Sequence, residues 1–282
     1  QLRRPAQVRG RGTTRAAPGM IRPHAVTGFD PKAMTDSHPI QLVAHRGYSA
    51  AAPENTVAAL RAALEAGIEA VEFDVQTAAC GTPVLIHDPM LGRTTNGVGP
   101  VRRRPLAQLK ALDAGSWFGP EFSGEKIPTL EEALETVAGR AQQVFQDIKG
   151  YREMEDLDRM GTLTRNSGLD EVTIFTSSDW VIMNRLRQVA PEIRRAYLVD
   201  APENFPIALD RSAVDEGSIL SIDLVLARNI PEGLEEARDA GVDLMVWTVD
   251  DPATAEWTVE AGFHWVVTNQ VRTLMGWRKA RG

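Results

Sequence analysis

The chain has 282 residues, 43% of them hydrophobic and 24% charged, with a formal net charge of −7. That is enough chain for one barrel-sized domain, and the acidic balance argues against nucleic acid, which rewards clustered Lys and Arg. A single cysteine, Cys80, excludes a disulfide framework within this sequence and a multi-cysteine zinc site, and no apolar run approaches the roughly eighteen residues of a membrane span. Together these point to a soluble, cytoplasmic protein.

Residues 1–38 carry Arg3, Arg4, Arg9, Arg11, Arg15 and Arg22, with no acid before Asp30. They lack the apolar centre of a secretory signal, and they bury too little apolar surface to offset their ordering entropy. We expect a disordered or non-native extension there, and one folded domain over 39–282. From Gln41 the pattern alternates. A strand at 41–45 leads to a helix over 56–66, capped by Asn55 and ended by Gly67. Strands at 70–76 and 83–87 follow, joined by a link too short for the crossover that parallel strands require. A polar, turn-rich stretch over 89–128 holds one short helix near 106–112. Thr129 and Glu132 form the capping-box signature of a helix over 129–138. A strand at 144–149 comes next, and helices at 153–166 and 180–189 flank another at 172–176. Strands at 195–199, 219–226, 244–249 and 265–268, with helices at 231–240 and 252–261, complete the series.

Alternating strands and helices imply a parallel sheet. Nine strand-like runs compete for eight barrel places, and 219–226 is the weakest candidate. The expected fold is a (β/α)8 TIM barrel, irregular near its second and third strands, with its chemistry at the C-terminal strand ends. An open doubly wound sheet is the alternative, disfavoured because no Gly-rich phosphate loop follows the first strand.

Candidate chemistry concentrates between Val43 and Gly99. His45 and His87 each end an apolar run. Between them Glu72 and Asp74 alternate with Val71, Phe73 and Val75, so the two carboxylates share one strand face. On an interior face they would be costly without a cation. Alone, a strand-end histidine is usually structural and a Glu-x-Asp pair usually a solvated edge. In one short stretch they point to a divalent metal flanked by two proton-moving histidines. Asp147 and Lys149 share a face of a later strand.

The ordered set His45-Arg46-Gly47, Pro53-Glu54-Asn55-Thr56, Glu72-x-Asp74, His87-Asp88 and Arg93-Thr94-Thr95-Asn96-Gly97 resembles the glycerophosphodiester phosphodiesterase family. So do the runs 112–118, 127–132, Asp147-Ile148-Lys149 and Val246-Trp247-Thr248-Val249. The resemblance implies metal-dependent hydrolysis of a glycerophosphodiester to an alcohol and sn-glycerol 3-phosphate. It implies His45 and His87 as the acid/base pair, and Arg46, Lys149 and Trp247 as groups on the phosphate and substrate. It implies Glu72, Asp74 and Asp147 as ligands of one divalent ion; such hard oxygen ligands suit Ca²⁺ or Mg²⁺. Glu54 is implied near the site, though a place in the first helical turn serves it equally. Asp147 stands where the family usually carries Glu. Asp250 stands where Asn is common, Asn269 follows Thr268 where Asp is usual, and Ala79-Cys80-Gly81 replaces an acidic turn. These departures bear on substrate choice. A lysophospholipase D or sphingomyelinase D-like activity on the same barrel is the alternative, and a non-catalytic binding protein a further one. His24, His38 and His264 have no partner pattern.

Overall fold

In the computed structural model, which describes residues 40–281, the strands are β1 (Gln41–Ala44), β2 (Ala70–Thr77), β3 (Pro83–Leu85), β4 (Gln143–Ile148), β5 (Thr173–Ser177), β6 (Arg194–Val199), β7 (Ile219–Asp223), β8 (Asp243–Trp247) and β9 (Trp265–Thr268). All but β3 form one parallel ladder, which closes because β1 pairs with both β2 and β9. The result is a (β/α)8 barrel, and closure rules out the open sheet. The extension expected over 1–38 lies outside the described residues.

The irregularity near the second and third strands has a simple cause. β3 runs antiparallel to β2, with Val75 opposite Leu85 and Thr77 opposite Pro83. A hairpin needs no crossover, so the short link is the connection itself. The surplus strand is therefore 83–85. The run at 219–226, the weakest strand candidate by sequence, does enter the barrel: its first half is strand β7. Its second half belongs to a short helix, because the Asp223 side chain accepts from the Val225 and Leu226 amides and caps it.

The helices are α1 (Val57–Ala66), α2 (Leu106–Ala111), α3 (Leu130–Val137), α4 (Met154–Asn166), α5 (Trp180–Val189), α6 (Phe205–Ala213), α7 (Leu224–Asn229), α8 (Pro231–Asp239), α9 (Pro252–Glu260) and α10 (Val271–Arg281). The capping box at Thr129 and Glu132 forms as expected. The cap of α1 is Thr56 rather than Asn55: the Thr56 hydroxyl accepts from the Ala59 amide. Asn55 is used elsewhere. The helices α6, α7 and α10 have no counterpart in the sequence reading. Pro206 in the first turn of α6 reads as a breaker, although that position tolerates proline.

Strand alternation sorts the core into two shells. Val71, Phe73 and Val75 face outward into the helix layer. Val43, Ala70, Phe145, Ile174, Ala196 and Ile219 fill the barrel interior with Met245 and Trp265. A third cluster, including Val84, Ile86, Leu91, Val101, Leu109 and Ile127, roots the 89–128 stretch against β3. Each such buried aliphatic contributes about 1.5–3 kcal/mol, which makes that stretch a folded cap beside the barrel mouth. No helix among the described residues is long and apolar enough to cross a membrane.

Candidate active site

The site begins where β1 ends. His45 is followed by a sharp turn whose tightness is set by Gly47, at φ +76; a Cβ there would lie 2.6 Å from the Ala59 backbone. Arg46 and Asn55 both sit at φ +57, a region non-glycine residues rarely adopt. Specific bonds hold both. The Arg46 amide donates to Glu72 Oε2 at 2.7 Å. Asn55 Nδ2 donates to Asp74 Oδ2 at 2.7 Å, and the Asp74 amide returns a bond to Asn55 Oδ1 at 2.9 Å. The first loop is thus folded around the two carboxylates of β2.

Glu72 and Asp74 point into the barrel, and the β2–β4 register sets Asp74 beside Asp147. The three carboxylates are buried, and one oxygen from each lies within 4.8 Å of the others. Burial, then repulsion from Asp74 and Asp147, pushes the Glu72 carboxyl well above its ordinary range. Burial also raises Asp147, against the pull of Lys149. Burial acts on Asp74 in the same sense, but Arg46 and then Lys149 outweigh it and hold this carboxyl down. Arg46 Nε lies 3.1 Å from Asp74, and Lys149 Nζ lies 2.7 Å from Asp147 and 3.5 Å from Asp74. Asp147 Oδ1 is buried with no hydrogen-bond partner among the described residues. Three buried carboxylates that converge here, with one oxygen of Asp147 unpartnered, are a donor set that could hold a divalent ion.

The histidines are backed differently. His45 Nδ1 is 2.8 Å from Asn269 Oδ1, which also accepts from the Ser49 hydroxyl. Asn269 Nδ2 donates to Asp250 Oδ2 at 2.8 Å. A carboxylate only accepts, so Asp250 fixes which way the amide faces, and Asn269 Oδ1 must accept from His45 Nδ1–H. His45 Nε2 is left with its lone pair. Burial, then Arg46, brings the His45 pKa down to about 4. His87 Nδ1 instead lies 2.7 Å from the Asp88 carboxylate, and Gln76 Nε2 donates to the His87 carbonyl at 2.9 Å. Arg93 binds Asp88 and Glu54, and Glu54 binds Arg46. A continuous chain of ion pairs therefore joins the two histidine loops. Glu54 belongs to that chain rather than to the first turn of α1.

A cavity of about 270 Å³ opens at the C-terminal mouth. His45, Arg46, Glu72, His87, Asp147 and Lys149 line one side, and Thr176, Leu198, Asp200, Ser221, Met245 and Trp247 continue round it. Every candidate named from the sequence meets here, with Asp74 completing the carboxylate group. Asn55, Ser49 and the Asp250–Asn269 pair were not singled out as site residues. For Asn55 the available signal was its tolerance of positive φ. His264 is elsewhere: it pairs with Asp243 at 2.7 Å, at the start of β8.

A parallel barrel with its charged groups gathered at this mouth has the build of a barrel enzyme. Comparison says which kind. The sequence profile of the glycerophosphoryl diester phosphodiesterase family matches residues 45–273. A glycerophosphodiester phosphodiesterase of Caldanaerobacter subterraneus is 33% identical over 240 residues, covering 83% of this chain and 96% of that one. The structure of an Oleispira antarctica phosphodiesterase in complex with sn-glycerol-3-phosphate superposes with a TM-score of 0.74 at 30% identity, covering 85% of this chain and 96% of that one. The glycerophosphodiester phosphodiesterase of Agrobacterium tumefaciens gives 0.73 at 32% identity, covering 84% of this chain and 99% of that one. The chain belongs to the glycerophosphoryl diester phosphodiesterase family. It is accordingly an enzyme, a phosphoric diester hydrolase.

Proposed function

We propose that the protein hydrolyses glycerophosphodiesters to an alcohol and sn-glycerol 3-phosphate, using one divalent ion, Ca²⁺ or Mg²⁺, and the His45/His87 pair. The observation that carries this reading is the carboxylate group Glu72, Asp74 and Asp147 sharing one mouth with both histidines. When bound, the ion supplies neutralisation of the charge that builds on phosphorus-bound oxygens. Arg46 and Lys149 hold the phosphate beside the carboxylates. His45, neutral and with its Nε2 lone pair free, takes a proton from the attacking water, whose oxygen forms the new bond to phosphorus as the bond to the alcohol oxygen breaks. His87, backed by an anion, gives a proton to the departing oxygen. Trp247 closes the substrate side of the cavity.

Two expectations follow for the ion. Glu72 and Asp147 are pushed up by burial, yet must be ionised to bind it. Ion affinity should therefore weaken as pH falls, and binding should release protons. Calorimetry at fixed pH in buffers of different ionisation heat checks this: the apparent enthalpy should change with the buffer, and a buffer-independent enthalpy would contradict it. Asn55→Ala should weaken ion binding by about 10–100-fold, as loss of an outer partner does, because Asp74 then loses the amide bond to its carboxylate and the one that fixes its backbone, and keeps only its ion pairs with Arg46 and Lys149. Unchanged affinity in a folded variant would dismiss that role.

One observation favours a second reading, cleavage of an acylated lysophospholipid. Met154, Val181, Ile207 and Val225 are exposed in the first turns of α4, α5, α6 and α7, and Met90 is exposed just beyond His87. First turns follow the C-terminal strand ends, so the four helix residues lie along the mouth over the arc from β4 to β7. Choline release from glycerophosphocholine and from lysophosphatidylcholine, measured side by side, separates the two. Faster release from the soluble diester supports the first reading; release from the lysolipid alone would replace it with the second.

A further inference from the structure

Over residues 89–112 the charge of the chain reverses. The stretch carries Arg93, Arg102, Arg103, Arg104 and Lys110 and no Asp or Glu, in a molecule of net charge −7. Arg93 and Lys110 are matched by carboxylates: Arg93 pairs with Asp88 and Glu54, and Lys110 with Glu132. The three consecutive arginines are not. The Arg102 and Arg103 side chains are exposed and make no hydrogen bond or ion pair among the described residues. The Arg104 guanidinium donates to neutral oxygens, the Val98 carbonyl at 2.9 Å and Gln108 Oε1 at 3.3 Å.

Backbone bonds set apolar side chains beside these cations. The Leu91 amide donates to the Gly99 carbonyl and the Val101 amide to the Pro89 carbonyl, each at 3.0 Å, so the two segments lie side by side. Met90, 51% exposed, and Val98, 72% exposed, therefore neighbour the arginine turn. Leu91, Val101 and Leu109 of the same stretch are buried in the third core cluster, which gives the patch a folded base. The patch stands on the mouth side. β2 runs on past Asp74 to Thr77, about 10 Å beyond the carboxylate at the rise of an extended strand. The turn that follows holds the patch, because the Ala79 amide donates to the Arg104 carbonyl at 2.9 Å.

We propose that this patch docks the mouth side of the barrel on an anionic phospholipid surface, with Arg102, Arg103 and Arg104 on the phosphates and Met90 and Val98 entering the headgroup boundary. The proposal does not depend on the reaction assigned above. Arginines alone would suit nucleic acid as well. Apolar side chains among them favour a bilayer, whose boundary offers anionic groups and apolar matter together. The acidic balance of the whole chain does not oppose this. Salt screens exposed charges more than about 8–10 Å apart, so the face in contact decides.

The test is cosedimentation with sucrose-loaded vesicles, made of phosphatidylcholine alone or of phosphatidylcholine and phosphatidylglycerol in equal parts. Wild type should pellet with the mixed vesicles, stay free of the neutral ones, and be released by added salt. Arg102→Gln combined with Arg103→Gln should weaken the partitioning about 25-fold, about fivefold for each basic side chain at an anionic surface. Both side chains are exposed and unbonded, so the fold is not at stake. Val98→Ser should weaken it as well and leave the salt sensitivity in place. Equal pelleting with neutral vesicles, or an undiminished arginine variant, would overturn the proposal. So would an undiminished Val98→Ser, the mark of a purely ionic site. Wild type that stays in the supernatant would overturn it too, and retention of a single-stranded oligonucleotide by that protein would assign the patch to nucleic acid instead.

Discussion

His45→Ala is expected to lower kcat by about 10²–10⁴-fold, the range of a positioned acid–base group, with ion binding nearly unchanged. The histidine ring touches none of the three carboxylates. Its side chain bonds to Asn269, and its position in the cavity is fixed by the turn of Arg46 and Gly47, which the substitution leaves in place. The loss should thus fall on turnover alone. Because its pKa is brought down to about 4, His45 holds its lone pair through the neutral range, and the acid limb of the wild-type profile should not report its ordinary value of 6.5. Initial rates across pH, paired with calorimetric ion binding for the variant, check both points. A variant that keeps more than a tenth of the rate, or loses the ion with the rate, would remove His45 from the chemistry.

Glu72→Gln carries the second large effect. It keeps an oxygen to accept the Arg46 amide but removes one of three buried negative charges. Ion affinity should drop by more than the roughly 100-fold upper range of outer partners, and turnover should go with it. Stability without the ion should move the other way. The folded pKa of Glu72 is raised above its unfolded value, so its contribution is fully present below the unfolded pKa and is lost as pH rises through the raised folded one. Once pH passes that raised folded pKa, the ion-free wild type carries a buried, mutually repelled carboxylate that the variant lacks. In EDTA the variant should melt at a higher temperature than wild type, and the gain should shrink as pH falls. Adding Ca²⁺ or Mg²⁺ should raise the melting temperature of wild type but not of the variant. A variant less stable than wild type in EDTA would show that Glu72 serves the fold rather than an ion.

The parts of the site that could be read from the sequence are those whose signal is local. Glu72 and Asp74 alternate with apolar residues, so a period of two was enough to put both on one face. His45 and His87 end apolar runs, which placed them at strand ends. The barrel itself followed from alternation of strand and helix. What escaped was non-local or locally disguised. Asn269 meets His45 from the far end of the chain, across the β1–β9 pairing that closes the barrel, and no short-range pattern announces that seam. Asn55 has the composition of a helix cap, and Thr56 beside it took the cap, freeing the amide for Asp74. Asp223 ends β7 and starts α7 at once, so Leu224-Val225-Leu226 read as more strand. The β2–β3 hairpin mimicked a missing crossover because strand direction leaves no mark on composition.

If the buried carboxylates hold an ion without which the histidines do not turn over substrate, activity must follow the ion. We would measure sn-glycerol 3-phosphate released from glycerophosphocholine by chelator-stripped protein, before and after adding Ca²⁺ or Mg²⁺. Negligible release in EDTA, recovery with one or both ions, and no recovery for Glu72→Gln are expected. Full release in EDTA would contradict it.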